Sequence, residues 1–266
     1  MAEQDVLYSK EDGIAVITLN RPEKLNAVTH EMVDKLIPAI IEEIKRDEAV
    51  RVVILTGSGR GFCAGTDISG DVPSAKEEAI ARAKRKSSTY DLGAFWFFNS
   101  IPKPTICAIN GAAVGIGAEF TLHCDIRIAA EGARWGQVFV LRGMVPDTGA
   151  GTYLLPRIVG LSKACELVFS GEIIDAPEML RIGLVNQVVP NEELMPTAME
   201  LARKLKKGAP LAVLMAKQLM YKGLDRTVEA HTQATAACLN LTFLTDDFTE
   251  GIKSFLEKRE PRWTGR

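Results

Sequence analysis

Apolar residues recur along this chain in two rhythms. Short β-branched runs at 13–19 (GIAVITL), 50–56 (VRVVILT), 105–109 (TICAI), 125–130 (DIRIAA) and 184–189 are bounded by turn residues or proline and read as strands. Elsewhere the spacing turns helical. Met32, Val33, Leu36, Ile40 and Ile44 share one face of a segment that Thr29 can cap and that runs to about Arg46. Pro38 inside it predicts a bend or two shorter pieces. Residues 74–100, charged first and aromatic later (Phe95 to Phe98), read as an amphipathic helix. Further helices are predicted at 118–124, from Pro146-Asp147-Thr148-Gly149 toward Val159, at 162–169 and at 175–181. Stretches 24–28, 57–70 and 131–145 read as loops or irregular chain. Beyond Pro190 every segment (192–207, 210–222, 225–244, 246–258) reads as helix. Strands alternating with helices, then helices alone, predict an α/β body over 1–190 and a helical region over 191–266. Two glycine-rich loops, 57–70 and 111–117, each follow a strand and precede a helix, which points to a repeated strand–strand–helix unit.

Composition narrows the function classes. The 266 residues carry 32 Lys+Arg against 34 Asp+Glu, a formal net charge of -2, so the basic excess of a nucleic-acid binder is missing. No apolar run reaches the roughly 18–20 residues that cross a bilayer, and the start MAEQDVLYSKEDG lacks a signal-peptide pattern. Cys63, Cys107, Cys124, Cys165 and Cys238 are scattered and odd in number, as expected of reduced thiols in a cytoplasmic protein. No CxxC pair occurs and His30, His123 and His231 lie far apart, so no metal site is expected.

The chemistry concentrates at 105–125, TICAINGAAVGIGAEFTLHCD. A buried strand runs into a turn containing Gly111, Gly115 and Gly117, then into a helix that carries one acid, Glu119. Free N–H groups at a helix start suit a negatively charged oxygen. An acid set among apolar residues just behind them is costly without a task or a partner. The segment therefore offers an anion cradle with a candidate base beside it. A dinucleotide site is disfavoured, because GIGAEF lacks the third glycine.

Several spaced segments then carry a family pattern: Asn20-Arg21-Pro22 with Leu25-Asn26-Ala27, Phe62-Cys63-Ala64-Gly65-Thr66-Asp67, Asn110-Gly111 through Gly115-Ile116-Gly117 and Glu119 to Cys124-Asp125, Pro146-Asp147-Thr148-Gly149, and a tail from Glu250-Gly251 to Phe255-Leu256-Glu257-Lys258-Arg259. In this the chain resembles the enoyl-CoA hydratase/isomerase (crotonase) superfamily over almost its whole length. The resemblance implies a spiral of ββα turns with a C-terminal helical trimerisation region, trimers often paired into hexamers, and an acyl-CoA thioester substrate. Coenzyme A belongs to that substrate, and no separate cofactor is implied. By position it places the two oxyanion N–H donors on Thr66 and Ile116. It places CoA contacts on Leu25, Ala27, Ala64, Asp67 and Ile68, and, in some relatives across a subunit contact, on Phe255 and Lys258.

One departure matters. The resemblance implies two glutamates for hydration, the first at Glu119 and the second twenty residues on, where this chain has Phe139. Simple two-glutamate hydration is therefore in doubt. Phe139 is either core filler or part of the acyl pocket, favouring bulky or cyclic acyl groups. Asp147, at a place where some relatives carry a catalytic aspartate, is either a second catalytic acid or the N-cap of a helix starting at Thr148, or both. The sequence thus implies an acyl-CoA hydratase or double-bond isomerase acting through a thioester enolate. It leaves open another enolate reaction (dehalogenation, C–C cleavage, decarboxylation) or an acyl-CoA-binding homologue without catalysis.

Overall fold

The computed structural model describes residues 5–67, 76–77, 80 and 97–266. Phe95, Trp96 and most of the helix expected at 74–100 lie outside these residues, as does Ile68; Phe97 and Phe98 are described, and both meet the Phe120 ring edge-on.

The chain opens with an unforeseen strand. β1 (Val6–Glu11) pairs antiparallel with β2 (Ile14–Leu19), and the turn residues Asp12 and Gly13 both adopt positive φ, 48° and 74°. An Asp-Gly pair between two strands is a strong tight-hairpin signal. Next, Thr29 accepts a hydrogen bond from the Met32 N–H at 3.2 Å and starts the first helical segment. That segment does break in two. A wide π-type turn over Met32–Leu36 passes into α1 (Ile37–Arg46), and Pro38 falls in the first turn of α1, where a missing N–H costs least.

The body then winds in turns of two strands each. β3 (Val52–Gly57), β5 (Thr105–Ile109) and β7 (Ile126–Ala130), with β10 (Gln187–Val189), enter a six-stranded sheet in the order β1-β2-β3-β5-β7-β10, parallel apart from the opening hairpin. Their partners β4 (Gly61–Cys63), β6 (Ala112–Val114) and β8 (Arg134–Gly136), with β9 (Ile173–Asp175), form a second sheet in the order β4-β6-β8-β9. β4, β6 and β8 lie inside stretches read from sequence as loops. The middle turn ends in α2 (Ile116–Leu122). After β8 come α3 (Ala150–Tyr153), α4 (Leu155–Val159), α5 (Leu161–Ser170) and α6 (Ala176–Arg181), then β10 (Gln187–Val189).

The large sheet is buried on both faces, as its continuous apolar runs require. Alternate residues Ala15, Ile17, Val53, Leu55, Cys107 and Ile109 face the main core with α1 and the small sheet. The intervening Ile14, Val52, Ile54, Ile106, Ala108 and Ile128 meet Leu194, Ala198 and Ala202 of α7 (Leu194–Leu205). The helical region beyond residue 190 therefore begins as a layer of the body. α8 (Pro210–Gly223) is pinned by Asp125, whose carboxylate accepts from Lys217 Nζ and Tyr221 OH at 2.8 Å each. α9 (Val228–Phe243) and α10 (Asp246–Glu257) lie farther out and leave Leu244, Phe255 and Leu256 more than 70% exposed.

Candidate active site

β4 and β6 are parallel neighbours, and each runs into a turn headed by a glycine. Gly65 has φ +119° and Gly115 φ +58° with ψ -126°, backbone states that side chains disfavour. A β-carbon on Gly115 would lie 3.8 Å from the Gly65 Cα, so the two turns abut. Gly117, one residue into the helix from Ile116, sits tighter still: a β-carbon there would lie 2.2 Å from the Cys63 carbonyl oxygen. The start of α2 is thereby seated on the end of β4.

The residues after the two glycines are Thr66 and Ile116. Thr66 pairs with Val28 in a parallel bridge, in which the Val28 N–H donates to the Gly65 carbonyl and the Asp67 N–H to the Val28 carbonyl, both at 2.9 Å. Backbone groups alternate edges along an extended chain, so the Thr66 N–H projects from the edge opposite Val28. Ile116 opens α2, where an N–H has no partner within its own helix. The geometry brings the two turns together, each with an N–H at its head.

Glu119 follows on the first turn of α2, fully buried. Its Oε1 accepts from Gln137 Nε2 at 2.7 Å and its Oε2 from the Thr148 hydroxyl at 2.6 Å. Burial pushes the carboxyl up to about 7, against the pull of the Thr148 and Gln137 hydrogen bonds, and the Asp147 charge adds to the rise. A group poised there can hold or release a proton near neutral pH. His123, one helical turn on, is buried, and its Nε2 lies 3.1 Å from the Thr148 oxygen. Burial pushes His123 down to about 3, so its ring is neutral. Gln137, Thr148 and His123 were not among the residues singled out for chemistry. Each is an ordinary polar residue in sequence, and only the fold brings the three to one carboxylate.

Asp147 requires a correction. The helix beyond it begins at Ala150, not Thr148, with Gly149 at the cap position and no side-chain cap. The N-cap reading of Asp147 fails for that reason. Asp147 is exposed, near enough for its charge to raise both Glu119 and Cys63. Phe139 is buried, with its ring tip 4.0 Å from where a Gly115 β-carbon would sit, so it borders the turn ahead of Glu119. Leu25, Ala27, Ala64 and Asp67 form one linked cluster. The Ala64 N–H donates to the Leu25 carbonyl at 3.0 Å, and Arg21 joins the Ala27 carbonyl at 2.7 Å to the Asp67 carboxylate at 2.9 Å. Phe255, by contrast, is 82% exposed on α10 and borders a groove between α8, α9 and α10 that includes none of these residues. Lys258 caps the end of the same helix at φ 53°.

A family model described as enoyl-CoA hydratase/isomerase matches residues 9–266. The short-chain-enoyl-CoA hydratase of Clostridium acetobutylicum is 39% identical, over 98% of this chain and 97% of that protein. The 1,2-epoxyphenylacetyl-CoA isomerase of Escherichia coli is 35% identical, over 98% of each. Among solved structures, an enoyl-CoA hydratase from Bacillus anthracis superposes with a TM-score of 0.89 at 32% identity, covering 99% of this chain and 100% of that one. Paired glycine turns backed by a buried acid, on a spiral shared along the full length with such proteins, make this chain an enzyme of the enoyl-CoA hydratase/isomerase family.

Proposed function

We propose that this acyl-CoA hydratase or isomerase works as a double-bond isomerase, moving a proton along an acyl-CoA thioester through its enolate. The thioester oxygen lies between the N–H groups of Thr66 and Ile116. Charge gathers on that oxygen as the enolate forms, and loss of one such donor typically costs about 3 kcal/mol of barrier lowering. Glu119 takes the proton and returns it at another carbon. Leu25, Ala27, Ala64, Asp67 and Ile68 hold the CoA portion, and Phe139 lines the acyl pocket. No cofactor beyond the substrate's own CoA takes part. The enzyme acts in the cytoplasm as a trimer or a pair of trimers, with Phe255 and Lys258 reaching CoA across a subunit contact. The apolar residues exposed on α9 and α10 support that assembly, and among the described residues no helix is long and apolar enough to cross a membrane.

The observation that carries the isomerase reading is the pairing of Glu119 with Phe139. One buried acid stands at the turn, and a hydrocarbon ring occupies the place of a second. Proton transfer between carbons needs a single carrier, whereas hydration also needs a held water. Hydration is the second reading, favoured by the similarity to the Clostridium hydratase; Asp147 would then hold the water. The test is a screen of enoyl-, dienoyl- and cyclic acyl-CoAs in deuterium oxide, followed by mass spectrometry. Isomerisation moves the double bond with no added water, deuterium entering the acyl chain only where the proton on Glu119 exchanges before its return, and hydration adds one molecule of water. Near-normal turnover by Glu119→Gln on the substrate so found would refute both readings.

A further inference from the structure

Two short stretches, one at Leu25–Ala27 and one at Ala64–Asp67, carry the proposed CoA contacts, and they are fixed unequally. The first belongs to a turn anchored on the sheets. Leu25 and Asn26 both adopt left-handed backbone, φ 49° and 58°, a state that residues with side chains disfavour. The buried Asn26 side chain holds them there. Its Oδ1 accepts from the Arg21 N–H at 2.8 Å, and its Nδ2 donates to the Ser58 and Gly61 carbonyls at 2.8 and 2.7 Å. A β-carbon on Gly61 would lie 3.3 Å from the Leu25 Cβ, so Leu25 rests against the start of β4.

The second stretch meets the first through the bridge between Val28 and Thr66, which lies outside both sheets, and through the bond from the Ala64 N–H to the Leu25 carbonyl. Arg21 spans that bridge from the outside. Its Nη1 donates to the Ala27 carbonyl at 2.7 Å, and its Nη2 meets the Asp67 carboxylate at 2.9 Å. Ala27 precedes Val28, and the Asp67 N–H donates to the Val28 carbonyl, so the guanidinium closes a ring of bonds around the bridge. Both side chains of the Arg21–Asp67 pair are only 15% exposed, which separates it from the solvated surface pairs that contribute little. The geometry also specifies the residue type. A guanidinium fork presents two donors in one plane, to a carbonyl and a carboxylate at once; lysine brings a single nitrogen.

We infer that Arg21 is a positioning residue for the coenzyme portion of the substrate: its fork sets the spacing between Leu25–Ala27 and Ala64–Asp67 and so shapes the surface that receives CoA. Arg21 acts on binding and leaves proton transfer alone, because the Thr66 and Ile116 N–H groups are placed by main-chain pairing, of β4 with β6 and of Thr66 with Val28. The inference rests on the reading that Leu25, Ala27, Ala64 and Asp67 hold CoA.

The experiment compares two substrates that share the acyl group found in the screen above. One is the CoA thioester. The other is the N-acetylcysteamine thioester, which keeps the thioester and lacks nearly all of the coenzyme. Arg21→Met keeps a long side chain and removes the fork. Its KM for the CoA thioester should rise roughly 10- to 100-fold, the scale of hydrogen bonds to a charged group, with kcat within about threefold of wild type. Its kcat/KM for the N-acetylcysteamine thioester should stay within about threefold, whereas general damage to the fold would lower it. Arg21→Lys keeps the charge without the fork, and its KM for the CoA thioester should remain raised by about fivefold or more. If Arg21→Met does not fold, Arg21→Lys carries the same comparison. An equal fall in kcat/KM on both substrates, or a wild-type KM in Arg21→Lys, overturns the inference. Ala64 is exposed, so Ala64→Leu adds bulk to the same surface without burying it. That variant should raise KM for the CoA thioester whatever Arg21 does. A wild-type KM in Ala64→Leu places the failure with the CoA-binding reading instead.

Discussion

Replacing Glu119 by glutamine removes a titrating group while keeping its shape, and the structure fixes how stability should respond. The native carboxyl is raised by burial from 4.5 to about 7. Between those values the folded protein holds a proton that the unfolded chain has released, so stability falls as pH rises. The group's contribution is complete below about pH 4.5 and gone above about pH 7. At 1.36 kcal/mol for each tenfold change, the span amounts to about 3 kcal/mol. The glutamine variant has no such dependence. Its own amide can meet the Thr148 hydroxyl with oxygen and a turned-over Gln137 with nitrogen. The stability of wild type minus that of Glu119→Gln should therefore fall by about 3 kcal/mol between pH 4 and pH 8, with the variant gaining ground at the alkaline end. Urea unfolding at one fixed protein concentration, repeated at half-unit pH steps, measures the difference. A difference flat to within about 0.5 kcal/mol would show that Glu119 is not held with a raised affinity for protons, and the argument for it as carrier would lose its physical basis.

Other substitutions probe separate parts of the same frame. Asp147→Asn removes a negative charge that raises Glu119, so the acid limb of the pH–rate profile should move to lower pH. Gly117→Ala would place a β-carbon 2.2 Å from the Cys63 carbonyl. It should cost about 1–3 kcal/mol in a thermal melt and a larger share of kcat, because the two turns are forced apart. Lys217→Met leaves Asp125 without its ion partner, in a pair only 8% and 18% exposed. A loss of about 3–5 kcal/mol is expected, partly recovered when Asp125→Asn is added, with kcat per folded molecule unchanged.

The sequence was most legible where one stretch of chain carries its own signal. β2, β3 and β5, and β7 apart from Arg127, are largely apolar runs because both faces of their sheet are covered. Glu119 was conspicuous as an acid among alanine, glycine and phenylalanine. The small sheet was not legible: β4, β6 and β8 have three residues each, too few for any periodicity. They are strands only because a neighbour distant in sequence supplies the hydrogen bonds. β1 was overlooked because Val6 is the only buried residue in VLYSKE. The same limit explains the Glu119 partners. Gln137 and Thr148 stand 18 and 29 residues away along the chain and declare no chemistry until the spiral closes. Asp147 misled for the opposite reason. Its residue type favours capping, but the next helix begins three residues on, behind Gly149.

The pairing of β4 with β6 has a practical corollary. Thr66 and Ile116 follow the ends of adjacent parallel strands, and such strands lie about 4.8 Å apart wherever they occur. The separation of the two proposed donors is thus inherited from sheet geometry, which all side chains share. Thr66→Ala and Ile116→Ala would register only packing, since both keep the amides. Evolution meets the same blind spot from the other side: residues around the pocket can drift toward new acyl groups while the gauge that receives the carbonyl stays set by main chain alone.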